Sequence, residues 1–332
     1  MIDGRVSGWK CRVKPDRSGG KNREEGMMKR GSIALVLTVV FAGLCCGPAH
    51  AFQQPLLNFG LTDVLDGAVP GPGTYFFEYI QIYQSDEFKD RDGNDIPGNP
   101  RAAFVLSMNQ LAHVSKTMFL GGNLGIDFLQ PIGQLNGSGT LGPGGPPVTA
   151  NPGPLGDLIV GPFVQWFPHK LLDRPFLHRL ELDVILPTGQ FDKKYVLNPG
   201  ANIYTIEPYY SFTWFLTPRF STSWRLHYTY NTKNDDTKIQ PGQLFHANYS
   251  FEYEVVKDLR LAATGYYIHQ LTEDEFDGVK GSGTKEKAFA IGPAVHWITK
   301  NGFVFDLKTQ FESSVENRPQ GNRTTFRMVY KF

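Results

Sequence analysis

The sequence predicts an all-β protein, an antiparallel transmembrane β-barrel of about twelve strands with short periplasmic turns and long extracellular loops. Three observations predict it. The last strand has a period of two and ends on an aromatic residue, a secretory leader lies near the start, and short and long connections alternate between them. In Arg323–Phe332, Phe326, Met328, Tyr330 and Phe332 take every second place, and Thr325, Arg327 and Lys331 take most of the others. Period two means a strand with one apolar and one polar face. In a soluble sheet, an apolar strand at a free edge invites aggregation. In an outer-membrane barrel the apolar face meets lipid, the polar face meets the lumen, and the edge pairs with the first strand. Phe332 is then the expected assembly signal, to be read by the barrel-assembly machinery.

The leader comes next. Lys29 and Arg30 form a short basic region after Met27 and Met28, an apolar run spans Ile33 to Leu44, and Ala49, His50 and Ala51 make an A-x-A cleavage site. This is the layout of a signal peptide, and its apolar run is short for a spanning helix. Residues 27–51 are therefore expected to be removed, with cleavage near Ala51. Residues 1–26 read as an upstream extension, with translation expected to begin at Met27 or Met28. All three cysteines, Cys11, Cys45 and Cys46, fall in the removed part, so the mature chain forms no disulfides. Cleavage takes nine of 33 basic and four of 32 acidic residues, leaving a net charge of −4. That composition excludes the basic patch of a nucleic-acid binder. The mean hydropathy of −0.28 looks soluble, but a barrel hides its apolar half in alternation.

Along the mature chain, strands are expected at Thr74–Gln84, Ala102–Val114, Met118–Gln130, Leu155–Phe167, Phe176–Pro187, Ile203–Leu216, Phe220–Asn231, Leu244–Val255, Leu259–Gln270, Lys287–Ile298, Phe303–Ser313 and Arg323–Phe332. Short connections fall at Ser115–Thr117, Pro168–Pro175, Thr217–Arg219, Val256–Asp258 and Thr299–Gly302. The longer ones are Ser85–Arg101, Pro131–Pro154, Thr188–Asn202, Thr232–Gln243, Leu271–Glu286 and Glu316–Asn322. An even strand number puts both ends of the barrel on the periplasmic side. Residues 52–72, with Phe52, Leu56, Leu57, Phe59 and Leu61, precede the first strand and are expected to plug the periplasmic mouth; residues 73–332 form the barrel.

Each strand has an aromatic face and an ionisable one. Phe220, Trp224, Leu226, Tyr228 and Tyr230 share a face, as do Tyr204, Ile206, Tyr210, Phe212 and Trp214, and again Phe245, Tyr249, Phe251 and Tyr253. Tyr and Trp suit the membrane interface, where the ring is sheltered and the polar tip stays wet. The opposite face carries Arg179, Glu181, Asp183, Glu207, Arg225, His227, His246, Glu252, Asp306, Lys308, Glu312, Arg327 and Lys331. Each Arg or Lys facing lipid at the midplane would cost roughly 2–4 kcal/mol, so these residues are expected to line the lumen. There they either balance one another or define a polar path.

His227 and His246 flank the Thr232–Gln243 loop, and a register joining Asn231 to Gly242 sets them opposite one another. A metal pair or a proton-gated constriction is conceivable, but the sequence displays no third ligand for a metal. The expectation is therefore two lumen-lining imidazoles, with no metal and no cofactor. Asp90, Asp92, Asn94 and Asp95 resemble a calcium loop, but the glycine stands at the fourth place and the flanks are strands, so they read as a solvated acidic loop. Gly137–Gly145 lacks the lysine of a phosphate loop.

The segment Gly60-Leu-Thr-Asp-Val-Leu-Asp-Gly67, then Pro70-Gly-Pro-Gly73-Thr-Tyr75 with Tyr79 and Tyr83, resembles the mature N-terminus of the MetA-pathway phenol-degradation family, which includes sphingosine-induced porin-like proteins. Gly156-Asp157, Gly161-Pro162 and the Asn198-to-Asn234 block with Tyr228 and Asn231 are similar to it too. The resemblance covers most of residues 56–332. It implies an outer-membrane channel or transporter for small aromatic or hydrophobic compounds, and it supplies no catalytic residue. The expected partners are outer-membrane lipids, the assembly machinery and a small solute. The alternatives are a structural or adhesive barrel with a closed lumen, and an outer-membrane lipase using Ser, His and Asn on the outer wall.

Overall fold

The structure is a computed structural model that describes residues 54–68 and 71–332. The upstream extension, the signal peptide and its cleavage point, and Phe52 lie outside the described residues. Fifteen strands follow in order: β1 Gly73–Phe88, β2 Arg101–Phe119, β3 Gly122–Ser138, β4 Leu158–Leu171, β5 Arg174–Leu186, β6 Thr205–Phe215, β7 Phe220–Asn231, β8 Ile239–Gln240, β9 Leu244–Val256, β10 Leu259–Gln270, β11 Glu275–Phe276, β12 Val279–Lys280, β13 Lys287–Ile298, β14 Val304–Glu316 and β15 Pro319–Lys331. The twelve long ones close into one antiparallel barrel, and β8, β11 and β12 make a small sheet in the loops above it. The predicted fold class is the one found.

Closure occurs where the last strand predicts it. β15 pairs with β1 from Tyr75↔Lys331 to Ile82↔Thr324 and beyond, and the Phe332 amide donates to the Thr74 carbonyl (3.0 Å). The barrel thus has no free edge, which satisfies every backbone group inside the bilayer. Outward positions carry exposed apolar side chains such as Leu180, Leu182, Phe251, Leu261, Ile291, Leu307 and Phe311. Trp166, Trp214 and Trp297 lie near the short turns. The Trp166 and Trp214 indoles donate to the turn carbonyls of Leu120 (3.0 Å) and Leu171 (3.3 Å). Tyr204, Tyr228 and Tyr230 lie toward the opposite rim. Two aromatic belts with an apolar band between them define the membrane-facing wall.

Three connections differ from expectation. Ser115–Thr117 is a bulge inside β2, not a turn: the register shifts between Val114 and Met118, and the Asn123 amide donates to the Ser115 carbonyl (2.9 Å). The turn is Leu120–Gly121, both at positive φ (48° and 79°), the conformation that a tight two-residue hairpin requires. Leu172–Asp173 (50° and 60°) similarly replaces the longer Pro168–Pro175 connection. At the other rim, Glu316–Asn322 is no long loop. Pro319 and Gln320 already pair with Phe88 and Glu87, so only residues 317–318 turn. Proline is tolerated there because it opens a strand. Short and long therefore alternate until the last hairpin, where the alternation fails.

Candidate functional site

The barrel interior is built around the segment 54–68. It was expected at the periplasmic mouth, but it runs the height of the lumen. At the loop end, Gln54 donates to the Gly242 carbonyl (2.9 Å) and accepts from Asn231 (2.8 Å). At the turn end, the Gly67 amide donates to Thr213 Oγ1 (2.9 Å) and its carbonyl accepts from Gln165 (3.1 Å). Gly67 is required there, since a Cβ would lie 2.4 Å from the Thr213 backbone nitrogen. Gly60, at φ +67°, lies against Tyr266, whose Cδ1 would be 2.6 Å from a Cβ.

Apolar residues anchor the upper half. Leu57 and Phe59 pack among Ile185, Leu244, Tyr266 and Ile268, while Leu61 packs with Tyr79, Leu106 and Met108. Charge anchors the lower half. Arg225 grips the Asp66 carboxylate with two parallel bonds of 2.7 and 2.8 Å and lies over the Tyr209 ring (4.2 Å). Lys308 pairs with Asp63 (2.7 Å) and donates to the Leu61 carbonyl (3.0 Å). Arg327 donates to the Val64 carbonyl (3.2 Å). Glu252 accepts the Leu65 amide (2.9 Å) and is steadied by Ser221, Ser223 and Ser250. Asn248 both donates to the Asn58 carbonyl and accepts the Gly60 amide (2.9 Å each).

Of the residues expected to line the lumen, Arg179, Glu181, Asp183, Glu207, Arg225, His227, His246, Glu252, Asp306, Lys308, Glu312 and Arg327 are buried, and Lys331 is not. They do not form one site. Arg225, Glu252, Lys308 and Arg327 hold the central segment. Asp306 bridges Arg327 (2.6 Å) and His296 (2.7 Å). Arg179 bonds Glu181 (3.0 Å) and covers the Phe163 ring (3.9 Å), and Glu181 accepts the Tyr209 hydroxyl. Glu207 touches both His227 and His246, whose predicted register is the one observed, His227↔His246. Lys331 and Phe332 lie exposed at the rim.

Beside the segment lies a cavity of about 30 Å³ with two characters. Its lining combines apolar Leu56, Leu61, Met108, Leu129, Ile159 and Ile185 with charged Asp127, Glu181, Asp183, Glu207 and Arg225. The carboxylates of Asp127, Glu181 and Asp183 lie within 4.8 Å of one another. Sequence reasoning missed Asp63, Asp66, Asp127 and His296. The first two had a signal: two carboxylates three places apart ahead of a barrel rich in inward cations. Asp127 and His296 had only strand parity.

Above the cavity, Arg318 lies over Phe59 (5.0 Å) and bonds Glu286 (3.0 Å). Burial pushes the Glu286 carboxyl up to about 7, outweighing the Arg318 guanidinium that pulls it down. Glu286 thus holds its proton more tightly folded than unfolded. Its contribution to stability is complete below the ordinary carboxyl value and is lost as the pH rises through about 7. Protection of the Leu271–Glu286 loop amides, taken relative to their intrinsic base-catalysed exchange, should therefore fall between about pH 5 and about pH 8, and Glu286→Gln should remove that fall.

The fold and the inward polar face define the class: an outer-membrane-type β-barrel. The sequence profile described as "Putative MetA-pathway of phenol degradation" matches residues 85–328, and the chain belongs to that family. An outer membrane channel from Pseudomonas putida F1 is similar in structure, with a TM-score of 0.69 at 18% identity, covering 80% of this chain and 97% of that one. The outer membrane phospholipase A of Escherichia coli aligns at a TM-score of 0.40 and 10% identity, covering 83% and 99%. A KdgM porin aligns at 0.39 and 9%, covering 77% and 99%. No curated protein matches the chain.

Proposed function

We propose that the protein is an outer-membrane channel, not an enzyme, for passive passage of a small solute with an apolar or aromatic body. The residues 54–68 act as its removable plug. The observation that carries this reading is the way the segment is held. A barrel built only for structure is best filled by apolar packing, because buried ion pairs gain little over well-packed hydrophobic residues. Here the lower half of the segment is held by Asp63 and Asp66 on Lys308 and Arg225, contacts that can exchange for water. The cavity beside it is lined by apolar side chains suited to the body of a solute and by carboxylates suited to a hydroxyl or amino group. Its present 30 Å³ holds a water or two, at about 10–15 Å³ each, and is well short of the roughly 150 Å³ that holds benzene, so passage needs the segment to move.

The closed size equally favours a structural barrel as the second reading. The lipase alternative finds no support in the histidines that the sequence offered, since His227 and His246 face inward and are fully buried. The test is reconstitution in planar bilayers together with growth of a deletion strain on aromatic carbon sources. Discrete current steps and slower growth are the expected results. Silent bilayers and unchanged growth on every source would leave the structural reading standing.

A further inference from the structure

Glu207, His227 and His246 come from three neighbouring strands, β6, β7 and β9. His227 and His246 are direct cross-strand partners, and their rings stack with centroids 4.0 Å apart and planes 13° apart. The Glu207 carboxylate spans both rings. Its Oε1 is 2.8 Å from His227 Nδ1 and its Oε2 is 3.3 Å from His246 Nε2. All three side chains are buried. Thr229 Oγ1 donates to Glu207 Oε2 (2.7 Å), which fixes the carboxylate in place.

His227 is the anomaly. Its Nδ1 approaches a carboxylate oxygen closely, yet no hydrogen bond joins them, because the N–H direction misses the oxygen. Its Nε2 has no partner either, nor does His246 Nδ1. An unsatisfied buried polar group is rare in a folded protein. His246 Nε2 hydrogen-bonds Glu207 Oε2 (3.3 Å), so the unsatisfied donor set is His227 Nδ1 facing Glu207 Oε1 beside that bond, an arrangement that a positive centre would satisfy. We propose that Glu207, His227 and His246 form a binding site for a divalent transition metal of the zinc class.

The donor set supports this choice. Imidazole nitrogens suit zinc, copper and nickel, whereas calcium and magnesium take oxygen ligands. The three donor atoms lie within 4.8 Å of one another. Bonds of about 2.0–2.1 Å in a tetrahedral site set ligands about 3.3 Å apart, and the two Glu207 oxygens stand 2.8 and 3.3 Å from the two nitrogens. The parallel rings must turn toward each other, a rotation about a broad, soft torsion. Asp183 is the cross-strand partner of Glu207, and its carboxylate helps to offset the added charge. Glu207 and Asp183 both line the cavity, which supplies room for a water as fourth ligand. The Thr229 bond orients the ligating carboxylate, as the supports of metal ligands commonly do.

The test uses the folded, full barrel in detergent, stripped with a chelator and titrated calorimetrically with zinc, magnesium and calcium. The expected result is one zinc per chain and no comparable heat from the other two. Glu207→Gln should weaken zinc at least tenfold, and His227→Ala or His246→Ala should abolish it. His169 and His178 lie close together elsewhere on the wall (5.6 Å between rings) and could bind zinc adventitiously. His178→Ala should leave the titration unchanged. Should the histidine variants fail to give folded barrel, cobalt in the native protein decides. A nitrogen-ligated, four-coordinate visible spectrum supports the site, and an aquo-like spectrum overturns it. Absence of zinc binding, or binding lost only with His178→Ala, also overturns it.

Discussion

Deleting residues 54–68 should raise single-channel conductance on the order of tenfold, since the barrel wall is continuous without them and a twelve-stranded wall encloses more space than side chains fill. The same deletion removes Asp63 and Asp66 and leaves Lys308 and Arg225 without their carboxylate partners, while Arg327 keeps Asp306. Ion preference should therefore shift toward anions relative to the intact protein, because fixed charge on a narrow wall concentrates counter-ions. The reversal potential in a salt gradient reads that preference. Folding of the deleted barrel is checked first by its heat-modifiable gel mobility. Unchanged conductance in a folded barrel would remove the segment from the conduction path and, with it, the plug reading.

The second large effect concerns how the segment stays docked. Asp66→Ala leaves the Arg225 guanidinium buried over the Tyr209 ring and without its carboxylate. Breaking one side of a buried ion pair costs about 3–5 kcal/mol. At about 1.4 kcal/mol per tenfold, the undocked population should rise at least about a hundredfold. Limited proteolysis within residues 54–68 and the frequency of open bursts report that population. Adding Arg225→Met to Asp66→Ala should recover much of the loss, because the stranded charge disappears with it. A double variant no better docked than Asp66→Ala alone would show that the pair is not coupled.

The outer wall was legible in sequence because lipid and lumen impose opposite chemistry on alternate residues. That rule places Phe220–Asn231, Leu259–Gln270 and Lys287–Ile298 at their observed bounds, and it sends Arg225, His227 and Lys308 inward. It fails where chain direction is decided by pairing. Ser115-Lys-Thr117 has turn composition, but neighbouring strands hold it as a bulge, and the turn falls at Leu120, a residue that sequence would not choose for positive φ. Pro319-Gln-Gly-Asn322 reads as a loop and is strand, since β1 is long enough to pair with it.

The interior follows the same division. Parity puts Glu207 and the two histidines on the polar face, and loop symmetry sets the histidines opposite one another. That Glu207 spans both rings depends on the register of β6 against β7, which local sequence does not encode. The segment 54–68 is the clearest case. Its leucines announce burial and its glycines announce close approach. Its path through the whole lumen arises because Asp63 and Asp66 meet Lys308 and Arg225, residues more than 150 positions away in the chain. What the sequence alone determines is the membrane barrel and which way each side chain faces, since both follow from a period of two. What only the tertiary structure decides is which inward groups meet, because closure of the barrel, not the chain's own order, brings distant charges within bonding distance.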